Sequence, residues 1–292
     1  MNFSPRTFIF AMAATLTMSA CTAEPQAAPP GSAAGGKLDV AVGFYPYEFI
    51  TARVGGDDVS VVNLTKPGGE PHDLELTPPQ VASLGAADLV VYSRGFQPVV
   101  DKAVDQAAAD HAFDVLSAAE NAGADPHVWL DPVRLGRIAT AVAGELGKRR
   151  PDRSAGFQSR AAQLTAELTT LDNEMRTGLA NCKRREIVTS HAAYGHLAAA
   201  YGLQQVALAG LSPEDEPSLG RFADVAVIAK SKGATTIFFE ELVSPKVAEQ
   251  LAREVGAKAN VLSPLEGPPQ TGDYLSAMRV NLATLRTALD CT

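Results

Sequence analysis

The sequence predicts an α/β fold of two lobes, each with a roughly four-stranded, mostly parallel sheet flanked by helices. Three observations support this fold class. Short apolar runs alternate with helical patterns, the alternation occurs in two successive sets, and one long helical segment separates the sets. The 292 residues are 46% hydrophobic and 20% charged, so the chain is long and apolar enough to form two domains of ordinary size.

The first lobe is predicted at residues 37–151. Its strands are expected where short apolar runs occur, at 38–42, 59–64, 89–92 and 112–116. Helical patterns alternate with these strands only after the second one, at 78–84, 98–108 and 132–146. The last of these helices has a strong start signal, because Asp131 stands at the N-cap position and Pro132 at the first helical position.

The second lobe is predicted at residues 182–292 and repeats this alternation. Its strands are expected at 186–190, 204–208, 235–240 and 259–262. Its helices are expected at 192–201, 217–231, 245–255 and 273–289. Between the lobes, residues 152–181 carry apolar side chains at spacings of three or four, which predicts one linking helix of about 25 residues, or about 38 Å.

Residues 1–21 are predicted to be a lipoprotein signal peptide. The basic residue Arg6 precedes an apolar stretch of about 14 residues, shorter than the ~20 that a membrane-spanning helix needs. Small residues then precede Cys21, as in a bacterial lipobox, so we expect lipidation at Cys21. An ordinary signal peptide with an unmodified cysteine is the alternative. Residues 22–36 hold no large apolar side chain and are predicted to tether the protein to the outer face of the cell membrane.

Charge and cysteine content restrict the function further. The net charge is −8 and the pI is about 5.2, which argues against nucleic acid or an anionic membrane surface as the ligand. After Cys21 the chain has Cys182 and Cys291, an even pair in an exported protein, and we predict a disulfide between them. Two free buried thiols are the alternative.

Three of the five histidines follow predicted strands at turns marked by proline or serine, namely His72, His127 and His191. Their wide spacing excludes a zinc finger, whose ligands come in local pairs, and also the HExxH motif. Glu266 likewise follows a predicted strand. Because ligands of open parallel sheets bind outside the carboxyl ends of the strands, we expect these four side chains, two from each lobe, to meet in one cleft.

Five segments of the chain resemble one family of transport proteins, in the same order along the sequence. They are 69–78 (GEPHDLELTP), 125–132 (DPHVWLDP), 190–203 (SHAAYGHLAAAYGL), 238–252 (FFEELVSPKVAEQLA) and 262–282 (LSPLEGPPQTGDYLSAMRVNL). On these segments the chain resembles the solute-binding lipoproteins of bacterial zinc ABC importers, the ZnuA-like branch of the TroA-like cluster A-I family. The resemblance extends over essentially residues 37–292.

This resemblance implies a function and a set of ligands. His72, His127 and His191 correspond to the first three metal ligands and Glu266 to the fourth, a set of imidazoles and one carboxylate that suits zinc. The family captures Zn²⁺ outside the cytoplasm and delivers it to a membrane permease that a separate ATPase drives. By this resemblance the protein is not an enzyme, Zn²⁺ is its transported substrate, and it acts as a monomer.

Two features limit how far the properties of the family apply to this chain. Many zinc-binding members carry a loop rich in histidine and acidic residues before the second ligand, and residues 118–125 hold no such loop. The fourth ligand also varies, and some members use water, so water stays an alternative to Glu266. Members that import manganese or iron tend to replace the third histidine by a carboxylate, so His191 favours zinc.

Other polar residues near the predicted ligands are candidates for supporting roles. Glu70 and Asp125 could each orient an imidazole by accepting its free N–H group, and Asp125 also suits a turn before His127. Glu240, at the end of a predicted strand, could lie behind a ligand or act as an accessory ligand. His196 is predicted on the same helix as His191, five positions later and on another face. This placement leaves two roles open for His196. It could pack inside the lobe, or it could contact a residue that supports one of the ligands.

Three rival functions stay open at this point. An exported zinc hydrolase would combine the three histidines with a bound water and use Glu240 or Glu70 as base, although the chain has no HExxH or G-x-S-x-G motif. The same fold could import manganese or iron, or serve as a surface adhesin beside transport. Because zinc needs neutral imidazoles and an ionised carboxylate, we expect affinity to fall below about pH 6.5.

Overall fold

The computed structural model describes residues 1–2, 36–120, 122–215 and 217–292. The predicted signal peptide, its lipidation site Cys21 and the predicted tether lie outside these ranges, apart from residues 1, 2 and 36. Lys37–Thr292 form one compact unit. Within the described ranges, no helix is both long and apolar enough to cross a bilayer.

Four parallel strands form the sheet of the first lobe. They are β1 (Leu38–Val42), β2 (Val59–Asn63), β3 (Leu89–Tyr92) and β4 (Ala112–Asp114), in the spatial order β2-β1-β3-β4. All residues of β3 are buried, as expected for a central strand that helices cover on both faces. The helices of this lobe are α1 (Tyr45–Gly55), α2 (Pro78–Ala86), α3 (Pro98–Ala107) and α4 (Pro132–Arg149).

The second lobe has the same topology. Its strands are β5 (Glu186–Thr189), β6 (Gln204–Ala207), β7 (Thr236–Phe239) and β8 (Lys258–Val261), all parallel and in the order β6-β5-β7-β8. Its helices are α6 (Gly195–Tyr201), α7 (Leu219–Ser231), α8 (Lys246–Val255) and α9 (Tyr274–Leu289). The predicted fold class, two lobes that each contain a four-stranded parallel sheet flanked by helices, is confirmed.

One long helix, α5 (Ser154–Gly178), joins the lobes over 25 residues. Its buried apolar side chains recur every three or four positions, from Phe157 to Met175, and belong to one large apolar cluster. This cluster also contains Trp129 of the first lobe and Tyr194 of the second. The two lobes therefore share a core, while the other face of each sheet packs in a smaller cluster of its own.

Helix α1 is missing from the predicted alternation of strands and helices. Eight of its residues are buried, so it has no broad polar face and its sequence lacks the period of an amphipathic helix. A different signal could have indicated it. Strands β1 and β2 are parallel, and a parallel pair requires a crossover connection, which is usually a helix.

Two predicted boundaries also need correction. Helix α6 begins at Gly195, so His191 lies before it and does not share a helix with His196. Strand β4 ends at Asp114, whose side chain accepts a hydrogen bond from the backbone N–H of Leu116 and caps a short 3-10 turn. The first correction matters for function, because it leaves His191 in a loop directly after β5, at the carboxyl edge of the sheet.

Cys182 and Cys291 are joined by a disulfide that connects the segment before β5 to the end of α9. The two cysteines are 109 positions apart, so the bond closes a long loop in the unfolded chain. Changing both to alanine is expected to lower the free energy of unfolding by about 2–5 kcal/mol. Urea denaturation of the purified variant measures this loss, and a change below about 1 kcal/mol would contradict the expectation.

Candidate metal centre

Four side chains from four loops converge at the carboxyl edges of the two sheets. His72 lies between β2 and α2, and His127 lies between β4 and α4. His191 directly follows β5, and Glu266 lies between β8 and α9. One potential ligand atom from each residue lies within 4.8 Å of all the others. The topology thus brings together two residues from each lobe, at the edge where ligands of parallel sheets bind.

The distances between these atoms suit a tetrahedral ion. Glu266 Oε1 lies 3.5 Å from His72 Nε2, 3.7 Å from His127 Nε2 and 3.7 Å from His191 Nε2. The Nε2 atoms of His127 and His191 are 3.4 Å apart. A regular tetrahedron with zinc–nitrogen bonds of about 2.0–2.1 Å has edges of about 3.3–3.4 Å. These four distances are thus within about 0.4 Å of tetrahedral edges, and all the ligand atoms lie within 4.8 Å of one another.

Two carboxylates set the tautomers of two of the histidines. Asp125 Oδ1 accepts a hydrogen bond from His127 Nδ1–H at 2.7 Å, and Glu240 Oε1 accepts one from His191 Nδ1–H at 2.5 Å. In the neutral imidazoles, Nε2 is then an acceptor with its lone pair directed at the centre. Two acceptor nitrogens that face each other cannot share a hydrogen bond, so a cation between them would relieve their repulsion.

Burial strengthens the case for a cation. His127, His191 and Glu266 are buried, and His72 Nε2 and Glu266 Oε1 have no hydrogen-bond partner among the described residues. Buried polar atoms are normally paired, so two such atoms facing one point indicate a place for a ligand. Burial raises the pKa of Glu266 well above its usual range, because an uncompensated carboxylate is poorly solvated there.

The imidazoles differ in their proton affinity. Burial lowers the pKa of His72 to about 4, and it lowers the pKa of His127 to about 4 although Asp125 acts in the opposite direction. Burial also acts to lower the pKa of His191, but the hydrogen bond with Glu240 and the charge of Glu266 outweigh it, so this pKa is raised. His191 is therefore the histidine for which protons compete most strongly with a metal ion near neutral pH.

Aromatic side chains enclose the histidines. The Phe96 ring lies 4.3 Å from the His72 ring and 5.7 Å from the His127 ring, between centroids. The Trp129 ring lies 5.1 Å from that of His127, and its Nε1–H donates to Pro264 O at 2.7 Å. No pattern in the sequence indicated Phe96 as part of the site. Its position just after β3, at the same sheet edge as the ligands, is the signal that could have indicated it.

The remaining predicted supporting residues lie close to the centre. Glu70 Oε2 accepts a hydrogen bond from the backbone N–H of Asp73, and burial raises the pKa of Glu70. His196 Nε2 lies 2.9 Å from the backbone oxygen of Asp125, so His196 contacts the residue behind His127. A cavity of about 300 Å³ adjoins the centre and is lined in part by Glu240, Glu241 and Glu266.

Comparisons with known proteins agree with this arrangement. Residues 40–288 match the family model described as ZnuA, zinc-uptake complex component A periplasmic. A curated relative, the high-affinity zinc uptake system protein ZnuA of Bacillus subtilis, is 33% identical over 96% of this chain and 97% of its own length. The zinc-binding lipoprotein AdcA of Streptococcus pneumoniae is 33% identical over 97% of this chain, which spans 60% of that relative.

A solved structure shows the same architecture. The Zn(II)-bound ZnuA-like domain of Streptococcus pneumoniae AdcA superposes with a TM-score of 0.75 and is 34% identical, over 87% of this chain and 100% of that domain. The family model covers most of the chain, including all four residues of the candidate centre. The chain therefore belongs to the ZnuA family, whose model is that of the periplasmic component A of the zinc-uptake complex.

Proposed function

We propose that this protein binds Zn²⁺ outside the cytoplasm and delivers it to an ABC-type importer. One observation carries this proposal, the convergence of four buried ligand atoms of His72, His127, His191 and Glu266 within 4.8 Å of one another. Zn²⁺ is the transported substrate in this proposal. Membership of the ZnuA family supports the same function.

The donor set favours zinc over manganese or iron. Three imidazole nitrogens and one carboxylate oxygen form a closed tetrahedral set, the geometry that zinc prefers, whereas manganese suits octahedral oxygen ligands. The position of Glu266 Oε1, at 3.5–3.7 Å from all three imidazoles, supports carboxylate as the fourth ligand in place of water. Manganese or iron binding is the alternative, and competition between zinc and manganese tests the first of these.

The same geometry favours capture over catalysis. A catalytic zinc keeps three protein ligands and one open position for water, with a general base nearby. Here Glu266 stands at the fourth position, and the Glu240 carboxylate is hydrogen-bonded to His191 and Ser190. Glu266 thus fills the position that a catalytic zinc leaves to water, and Glu240, one of the two candidate bases, holds His191 instead. We therefore infer that the protein is not an enzyme.

Location and partners follow from the proposed transport. We infer a lipid anchor at Cys21, a position on the outer face of the cell membrane, and delivery of zinc to a permease that a separate ATPase drives. The apolar stretch before Cys21 and a relative named as a zinc-binding lipoprotein support the anchor. We expect a monomer that binds no nucleic acid, in line with the net charge of −8.

Metal analysis of the purified full-length chain tests the proposed function. We expect about one zinc per chain after dialysis and preferential retention of zinc when equal zinc and manganese compete. Glu266→Gln keeps the shape of the side chain but removes its charge, and it should lower zinc affinity more than Glu254→Gln, a change at an exposed position in the last turn of α8. A protein that retains manganese in preference to zinc would contradict the proposed metal.

Zinc affinity is expected to fall as the pH decreases from about 8 to 5. The raised pKa values of His191 and Glu266 mean that both groups take up protons at pH values above those of ordinary histidine and glutamate, and zinc must displace those protons. His72 and His127 add to the loss only near pH 4, where their lowered pKa values lie.

Competition with a chelator of known proton affinity, repeated at several pH values, measures this dependence. We expect about a tenfold loss per pH unit for each proton displaced. Constant affinity between pH 7.5 and 5 would contradict a centre that contains His191 and Glu266.

A further inference from the structure

The Asp125 carboxylate, in the first lobe, packs against the first turn of α6, in the second lobe. Its Oδ1 atom accepts hydrogen bonds from His127 Nδ1–H at 2.7 Å and from the His127 backbone N–H at 3.0 Å. Its Oδ2 atom faces the second lobe and lies 3.8 Å from His196 Nε2. One carboxylate therefore contacts a candidate ligand of one lobe and a helix start of the other.

Gly195 leaves the space that this carboxylate occupies. A Cβ atom at position 195 would lie 2.6 Å from Asp125 Oδ2, which is too close for two non-bonded atoms. Gly195 is not among the residues with positive φ, so its backbone conformation does not require glycine. Alanine favours helices more than glycine does, so helix formation does not explain this residue either. Room for the Asp125 carboxylate is the physical reason for glycine here.

His196 holds the backbone of Asp125 in the same place. Its Nε2 atom lies 2.9 Å from Asp125 O, and because a carbonyl oxygen only accepts, Nε2–H is the donor. The His196 side chain is buried, with 9% of its surface exposed. The first turn of α6 thus limits Asp125 in two ways, by a hydrogen bond to its backbone and by close packing against its carboxylate.

We propose that Gly195 and His196 are positioning residues for zinc binding, through which the second lobe sets the orientation of His127 in the first lobe. They act through Asp125, which holds the tautomer and the ring direction of His127. This inference rests on the proposed zinc function. Under this proposal, zinc affinity depends on how α6 packs against Asp125, and not only on the ligands that each lobe supplies.

Gly195→Ala is the first test, measured as zinc affinity of the full-length chain by chelator competition. The added methyl group should displace the Asp125 carboxylate and lower zinc affinity by about ten- to a hundredfold, the usual effect of losing a partner behind a metal ligand. Gly144→Ala is the matched control. Gly144 is also helical, in α4, and a Cβ atom there has open space, so its affinity should stay unchanged.

A double-mutant cycle with Asp125→Ala separates positioning from a general structural effect. Without the carboxylate, the methyl group at position 195 has nothing to displace, so Gly195→Ala should then change affinity by less than about twofold. If Gly195→Ala causes the same loss in both backgrounds, Gly195 does not act through Asp125 and the proposal is wrong.

His196 provides a second test in case Gly195→Ala folds poorly. His196→Phe keeps a ring but removes the N–H donor, and it should weaken zinc binding by about three- to tenfold. His196→Gln restores a donor at a similar position and should recover most of that affinity. Equal affinities for the unmodified protein and both His196 variants would overturn the role of this residue.

The outcomes distinguish this inference from the function on which it rests. If the unmodified chain binds no zinc, the proposed function and this inference are both wrong. If the unmodified chain binds zinc and Gly195→Ala binds it equally well, only the inference fails.

Discussion

His127→Ala is expected to weaken zinc binding by about a hundred- to a thousandfold, a loss of roughly 3–4 kcal/mol. The change removes one of four ligands and leaves the Asp125 carboxylate without the Nδ1–H group that it binds. It also opens a gap beside Glu266, whose Oε1 atom has no hydrogen-bond partner among the described residues. Isothermal titration or chelator competition on the full-length chain measures the loss.

His111→Ala is the matched control for this experiment. His111 is likewise a histidine whose Nδ1 atom lies 2.7 Å from an aspartate oxygen, that of Asp110. It directly precedes β4, so it lies at the amino edge of the sheet, away from the candidate centre. We expect zinc affinity within about twofold of the unmodified protein. Equal losses in both variants would mean that the ligands are assigned wrongly.

Trp129→Ala is expected to lower the free energy of unfolding by about 3–5 kcal/mol. Trp129 is fully buried, and it joins the lobes by two hydrogen bonds. Its Nε1–H donates to Pro264 O, and its backbone oxygen accepts from the hydroxyl of Tyr274. The substitution removes the indole group from the core that both lobes share and leaves the Pro264 carbonyl without its donor.

Two further variants separate these contributions. Trp129→Phe keeps much of the apolar volume but removes the N–H donor, so we expect a smaller loss of about 1–3 kcal/mol. Val280→Ala, at an exposed position of α9, should change stability by less than about 0.5 kcal/mol. Trp129 is the single tryptophan of the chain, so its variants lose the tryptophan fluorescence signal. Urea unfolding is therefore followed by circular dichroism. Full stability of Trp129→Ala would contradict a structural role for this contact between lobes.

Much of the fold could be predicted because its elements have local signals. The strands are apolar runs bounded by turn residues, and Asp131 with Pro132 marks the start of α4, where the Asp131 side chain accepts from two backbone N–H groups. Helix α1 lacked the period of an amphipathic helix because it is buried on most sides. The start of α6 was predicted too early because the apolar residues after His191 belong to a loop packed in the core.

The sequence by itself determined which residue types were available at the carboxyl ends of the strands. Three histidines and Glu266 follow strands in the two lobes, and the parallel topology directs all such positions to the same edge. This prediction needed no distances, because the direction of a strand follows from the order of strands and helices. The same reasoning identified Glu70, Asp125, Glu240 and His196 as neighbours of the ligands.

Only the tertiary structure decided what each neighbour does. Asp125 accepts a hydrogen bond from His127 Nδ1–H, Glu240 accepts one from His191 Nδ1–H, and Glu70 accepts one from the backbone N–H of Asp73. Glu266 and Glu240 both follow strands of the second lobe, yet only Glu266 has an oxygen within 3.5–3.7 Å of all three imidazole Nε2 atoms. Whether a hydrogen bond forms depends on differences of a few tenths of an ångström in the distance between residues that are far apart in the chain. No local pattern of residues encodes those distances.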